Sequence, residues 1–146
     1  MDLIITRRLA VAAAATLAFV PACTRSAPQH AGATVEIHEH DFRIDASTES
    51  VAAGTVVFQV HNDAPATHEF VVVRTDEPAD RLPIGPDGLS VNEDELTSVG
   101  ELSEVGSGTV DTLAIALTPG RYVFFCNMEG HYMGGMHGVV EVSADA

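Results

Sequence analysis

The sequence predicts an all-β domain, a Greek-key β-sandwich, and three observations carry that prediction. Apolar residues recur in short runs broken by turn-forming residues at fairly regular spacing. Leu113, Ile115 and Leu117 alternate with smaller or polar neighbours, the period of a half-buried strand. His68-Glu-Phe-Val-Val-Val73 is nearly all apolar, as a strand covered on both faces would be.

The elements follow in order. Residues 35–44 read as a first strand pair or one bent strand. Ala53-Gly54 makes a turn, and Thr55–Val60 is a strand. The loop His61–Ala66 leads to the strand 68–73. Residues 74–108 break the pattern. They hold Pro78, Pro83, Pro86 and five glycines, and read as one long loop or short-helix insertion. A short helix is expected from Ser90 to Ser98, with Ser90 and Glu93 at capping-box spacing. Strands resume at Leu113. Thr118-Pro119-Gly120 suits a type II turn. Arg121–Cys126 and Val139–Val142 complete the set, within a single domain spanning 35–146.

Residues 1–22 read as an export signal. Arg7-Arg8 precedes an apolar stretch, Leu9–Val20, that is too short to span a bilayer as a helix. Val20-Pro21-Ala22-Cys23 is similar to a bacterial lipobox, which would make Cys23 the lipidated first residue of the mature chain. Residues 23–34 lack periodicity and read as a flexible tether. These features place the protein outside the cytoplasm, in the periplasm or its equivalent, held to a membrane by lipid.

The charge balance excludes one class of partner. The 21 acidic residues outweigh seven basic ones, all arginine, for a formal charge of −14. Such a field repels nucleic acid, whose recognition needs a basic patch, and favours cationic proteins.

The most informative segment is Cys126-Asn-Met-Glu-Gly-His131-Tyr-Met-Gly-Gly-Met136-His-Gly-Val-Val140. Cys126, His131 and Met136 present a thiol, an imidazole and a thioether at equal steps of five. Gly130, Gly134 and Gly135 allow a tight loop. If Cys23 is lipidated, Cys126 has no disulfide partner in an oxidising compartment, and a metal would account for it; the rival is a Cys23–Cys126 disulfide. A thiolate, imidazoles and a thioether form a soft donor set that selects copper over zinc, magnesium or calcium. The loop lacks a second imidazole, and His68, opening the buried strand, is the natural candidate. Met128 and Met133 compete with Met136 as the thioether. His38 and His40 share one strand face, and with Glu39 form a candidate weak second metal site or a plain polar surface. His61 reads as a loop histidine and His137 as solvent-facing.

These residues resemble the cupredoxin family of plastocyanin, pseudoazurin and azurin. The resemblance runs from Val35 to Val142 and is sharpest over 122–142. It implies His68, Cys126 and His131 as equatorial ligands of one type 1 copper. Gly135-Met136-His137-Gly138-Val139-Val140 matches the family's Gly-Met-x-Gly-x-Val ending and selects Met136 as the axial ligand. The function implied is one-electron transfer as a monomer, not catalysis, with a cationic cytochrome, oxidase or reductase as partner. The alternative is copper storage, delivery or resistance. The family also exposes the edge of the loop histidine, here His131, through an apolar patch, for which Met133, Tyr132 and Pro65 are candidates. One departure stands out. Where many members have Asn after the first His and a hydroxyl residue after the Cys, this chain has Glu69 and Asn127, and Glu69 is expected to accept a hydrogen bond from Asn127.

Overall fold

The computed structural model describes residues 32–144. The expected signal 1–22, Cys23 and most of the tether 23–34 lie outside the described residues. Among the described residues nine strands form two sheets: β1 (Ala33–His40), β2 (Arg43–Ala46), β3 (Ser50–Ala52), β4 (Gly54–Asn62), β5 (His68–Arg74), β6 (Thr97–Val105), β7 (Val110–Leu117), β8 (Gly120–Phe125) and β9 (His137–Ser143). One sheet has the order β2-β1-β4-β7 and the other β3-β9-β8-β5-β6. β1 pairs in parallel with β4, and β3 with β9; the remaining pairs are antiparallel. The first strand pair expected over 35–44 is the β1–β2 hairpin.

Period-two patterning builds the core. In β1, Val35 and Ile37 point inward; in β4, Val56, Phe58 and Val60 do. Phe70 and Val72 of β5, Tyr122 and Phe124 of β8, and Val140 and Val142 of β9 meet them from the other sheet. The rings of Phe58, Phe70 and Phe124 form a chain at 5.5 and 5.6 Å between centroids, each burial worth roughly 1.5–3 kcal/mol.

β5 is apolar on both sides because residues 75–96 fold back over the outer face of its sheet. Leu82 and Val91 from that segment pack on Val71 and Val73 of β5 and on Val123 and Phe125 of β8, forming a second, smaller core with Tyr132. The expected helix over 90–98 is absent. Glu93–Glu95 makes a single 3₁₀ turn, and from Thr97 the chain is the edge strand β6. Ser90 does not cap it. The residue before the turn is Asn92, whose amide reaches Glu95 Oε1 at 2.6 Å. Three acidic side chains in succession offer no apolar stripe for a longer helix to bury. None of the helices among the described residues is long and apolar enough to cross a membrane.

Candidate metal centre

Three chain segments converge at one end of the sandwich. β8 runs out at Phe125 and leaves Cys126 fully buried as a free thiol. Its backbone N–H donates to Met136 O at 3.1 Å, so the two ends of the ligand loop are stitched together. Within the loop, His131–Gly134 forms one helical turn, and Met136 N donates back to His131 O at 3.1 Å. Gly130 and Gly135 flank that turn with φ of 78° and 117°, backbone that only glycine adopts freely. The third segment is β5, which delivers His68, also fully buried.

The donors face one another. His68 Nδ1 and His131 Nδ1 are 3.1 Å apart, and Cys126 Sγ lies 3.8 Å from the first and 3.4 Å from the second. Among the described residues these three form a group whose ligand atoms all lie within 4.8 Å of one another. Two imidazole nitrogens at that separation share at most one proton, whereas a cation between them satisfies both and the sulfur. Met136 is buried in the core cluster that includes Cys126, whereas Met133 is exposed and Met128 packs on the core edge. The donor set therefore fits copper.

Burial acts on two of the three donors, His68 and Cys126, and keeps each in its neutral form before metal binds. Burial lowers the pKa of His68, helped by His131, against a small opposing effect of Asp41, whose Oδ1 stands 3.8 Å from His68 Nε2. Burial pushes the Cys126 thiol up to about 11, so metal binding displaces its proton. The Glu69 backbone N–H, 3.3 Å from Cys126 Sγ, works in the opposite direction and favours the thiolate.

The supporting contacts differ from those expected. Asn127 does not bond Glu69. Its Oδ1 accepts from Val91 N at 2.7 Å, and its Nδ2 donates to Val91 O at 3.2 Å and to Glu93 Oε1 at 2.6 Å. Gly130 N donates to Leu89 O at 2.9 Å, and Tyr132 Oη accepts from Leu82 N and donates to Ala79 O, both at 2.8 Å. The insertion thus clamps the ligand loop, a role its loop-like sequence did not reveal. Asn127→Ala removes three of these bonds and is expected to lower stability by about 2 kcal/mol, read as a shift of the urea midpoint in copper-free and copper-loaded protein.

The remaining histidines among the described residues lie outside the group of three donors. His38 and His40 do share the outer face of β1, but Glu39 points to the opposite face, into the core, and is no partner for them. His38 Nδ1 pairs with Asp63 Oδ2 at 2.6 Å, and His40 lies 3.7 Å from Asp45. His61 belongs to β4 rather than to a loop; it stacks on His38 at 4.6 Å and pairs with Glu36 at 2.7 Å. His137, expected to face solvent, is instead half-buried beside the Tyr132 ring, and its pKa is lowered by burial. Tyr132 itself is buried and contributes nothing to an exposed patch. Phe42 takes its place. It sits in the β1–β2 turn at φ 60°, is 56% exposed, and sets its ring edge-on to His131 at 5.6 Å.

The family model for copper binding proteins of the plastocyanin/azurin family matches residues 31–143. The chain belongs to that family. It is a cupredoxin, and its cofactor is copper. Its fold is similar to that of dithionite-reduced auracyanin from Roseiflexus castenholzii, with 29% identity, TM-score 0.59, and coverage of 77% of this chain and 99% of that one. Auracyanin A, a blue copper protein from Chloroflexus aurantiacus, aligns at 21% identity and TM-score 0.56 over the same shares of the two chains. An azurin from Methylomonas sp. strain J aligns at 17% and 0.53, again over 77% and 99%. No curated protein matches the chain.

Proposed function

We propose that this cupredoxin is a one-electron carrier whose single type 1 copper is held by His68, Cys126, His131 and Met136. The observation that carries the reading is the convergence of two imidazole Nδ1 atoms and one thiol sulfur within 4 Å, with His68 and Cys126 fully buried and His131 partly exposed. Bound copper supplies a Cu(II)/Cu(I) couple. The chain's part is to hold the donors in one arrangement in both states, which keeps reorganisation small, and to exclude water from the sulfur. Cys126 would supply the strong thiolate donor, His68 and His131 the two imidazole donors, and Met136 the weak thioether donor. A filled donor set leaves no position for a substrate, so the protein acts as a carrier and not as an enzyme.

His131 is the electron port. Exposed Phe42, edge-on to its ring, and Met133, in the same helical turn, supply apolar surface around it, and exposed Pro65 is the further candidate. The acidic turn 93–95, tied to Asn127 through Glu93, adjoins the same end and steers a cationic redox protein such as a cytochrome, oxidase or reductase. The Val20–Cys23 run supports export with a lipid on Cys23, and the protein works as a monomer outside the cytoplasm.

Visible spectroscopy with a redox titration of the copper-loaded protein tests the reading. An intense charge-transfer band that bleaches and returns with one electron supports a carrier. Colourless binding of Cu(I) alone would move the assignment to copper storage or delivery. That alternative needs an exposed methionine cluster, and of the three loop methionines only Met133 is exposed. The axial assignment has its own check. Met136→Leu is expected to retain copper and raise the potential, because loss of a weak donor destabilises Cu(II) more than Cu(I). Met133→Leu should leave the potential nearly unchanged. The reverse ranking reassigns the ligand.

A further inference from the structure

Glu39 is fully buried, and neither of its carboxyl oxygens has a hydrogen-bond partner among the described residues. The alternation of β1 puts it on the core face with Val35 and Ile37, at the end of the strand nearest the copper ligands. It lies in register with Ile44 of β2 and Asn62 of β4. Asn62 offers it nothing, because its amide is committed to Ala64, Ala66 and Val105. An unpartnered carboxyl in a core is destabilising, and an apolar residue would fill the place more cheaply. Its charge nevertheless reaches the metal centre: Glu39 is among the groups that raise the Cys126 thiol, with no hydrogen bond between the two. Burial alone pushes Glu39 up to about 8.

The other titratable groups at this end are accounted for. Cys126, His68 and His131 are the metal donors. Asp41, in the β1–β2 turn, faces His68 and is half exposed. Glu69 of β5 also acts on Cys126. His38, His40, His61, Asp45 and Asp63 lie on the outer face of the β1 sheet, where carboxylates and imidazoles pair with one another.

We propose that Glu39 carries a proton in step with the electron, becoming protonated when the centre is reduced and releasing that proton when it is oxidised. The inference rests on the one-electron role proposed above. On reduction, one electron arrives from a redox protein and one proton from solvent forms an O–H bond on a Glu39 oxygen; oxidation breaks that bond and returns both. The oxidised centre carries one more unit of positive charge than the reduced one, so it holds the carboxylate more firmly. The potential must then fall as pH rises between the two pKa values of Glu39, and stay flat outside them. At the limit, the redox equilibrium shifts tenfold per pH unit.

Potentiometry of the copper-loaded full chain across pH, with redox-difference infrared spectroscopy of the protonated carboxyl stretch, tests this. The expected result is a potential that falls with pH and a carboxyl band that appears on reduction. Glu39→Gln and Glu39→Met should both abolish the slope and the band while keeping the blue colour. A wild-type potential that is flat across neutral and alkaline pH, or a slope that survives in either variant, overturns the proposal. So does loss of the blue band in both variants, which would make Glu39 a ligand. The infrared titration of the copper-free chain needs no redox activity: a Glu39 band that titrates in the ordinary carboxylate range overturns the proposal even if the carrier reading fails, and a reversible but pH-independent potential overturns it while the carrier reading stands.

Discussion

Cys126→Ser is expected to abolish the intense visible band while leaving a folded sandwich. The thiolate is the one strong anionic donor in the group, and a serine hydroxyl stays protonated in the same place. Copper affinity should fall by more than the 10–100-fold typical of losing a supporting residue. The fold should survive for a physical reason. Burial keeps the copper-free thiol neutral, so the substitution exchanges one neutral group for another of similar size. The hydroxyl can still accept from the Glu69 N–H, and the bond from the residue's own N–H to Met136 O is backbone and persists. Copper titration with absorption, beside the thermal midpoint of the copper-free protein, checks both halves. A variant that keeps the wild-type spectrum would show that the sulfur is not a ligand.

Asn62→Ala is expected to be the most destabilising of the polar substitutions near the centre. Asn62 is 1% exposed at the end of β4, and its side chain organises the loop that delivers His68. Its Nδ2 donates to Ala66 O and Val105 O, both at 2.8 Å, and its Oδ1 accepts from Ala64 N at 2.9 Å. Alanine leaves two carbonyls and one amide unpaired in or near the core. At about 1–3 kcal/mol for each buried group left unsatisfied, the loss should exceed ~3 kcal/mol. The urea midpoint of the copper-free protein measures it. Because Ala66 lies two residues before His68, copper affinity should drop as well. An unchanged midpoint would mean that water replaces all three bonds.

The ligand set was legible because a thiol, an imidazole and a thioether at equal spacing between two strands leave few other chemistries to explain them. The core strands were legible for a similar reason: β4 and β7 each bury one face, so period two shows in the sequence. The insertion was not. Leu82 and Val91 are isolated apolar residues among prolines and acids, and only folding back over β5 and β8 gives them a surface to cover. The apolar run in β5 announced that something covers its outer face, but not what. β6 was hidden because, as an edge strand, it exposes most of its side chains. Asn127 and Asn62 act through backbone groups distant in sequence, which no local pattern encodes. Glu39 is a different case. Alternation along Val35, Ile37 and Glu39 places it on the core face, away from His38 and His40, and grouping the three together set charge above period.

The direction of β1 and β9 also decides how the molecule can be mounted. β1 starts at Ala33, with Gly32 beside Thr55, and runs toward the copper ligands over about 25 Å. β9 leaves those ligands at His137 and ends at Ser143, whose carbonyl accepts from Ala53 N. Both ends of the described chain therefore emerge side by side at the pole farthest from the copper. A leash fixed to either end would leave His131 pointing away from its mooring. A partner on the side away from the mooring would meet that port unobstructed.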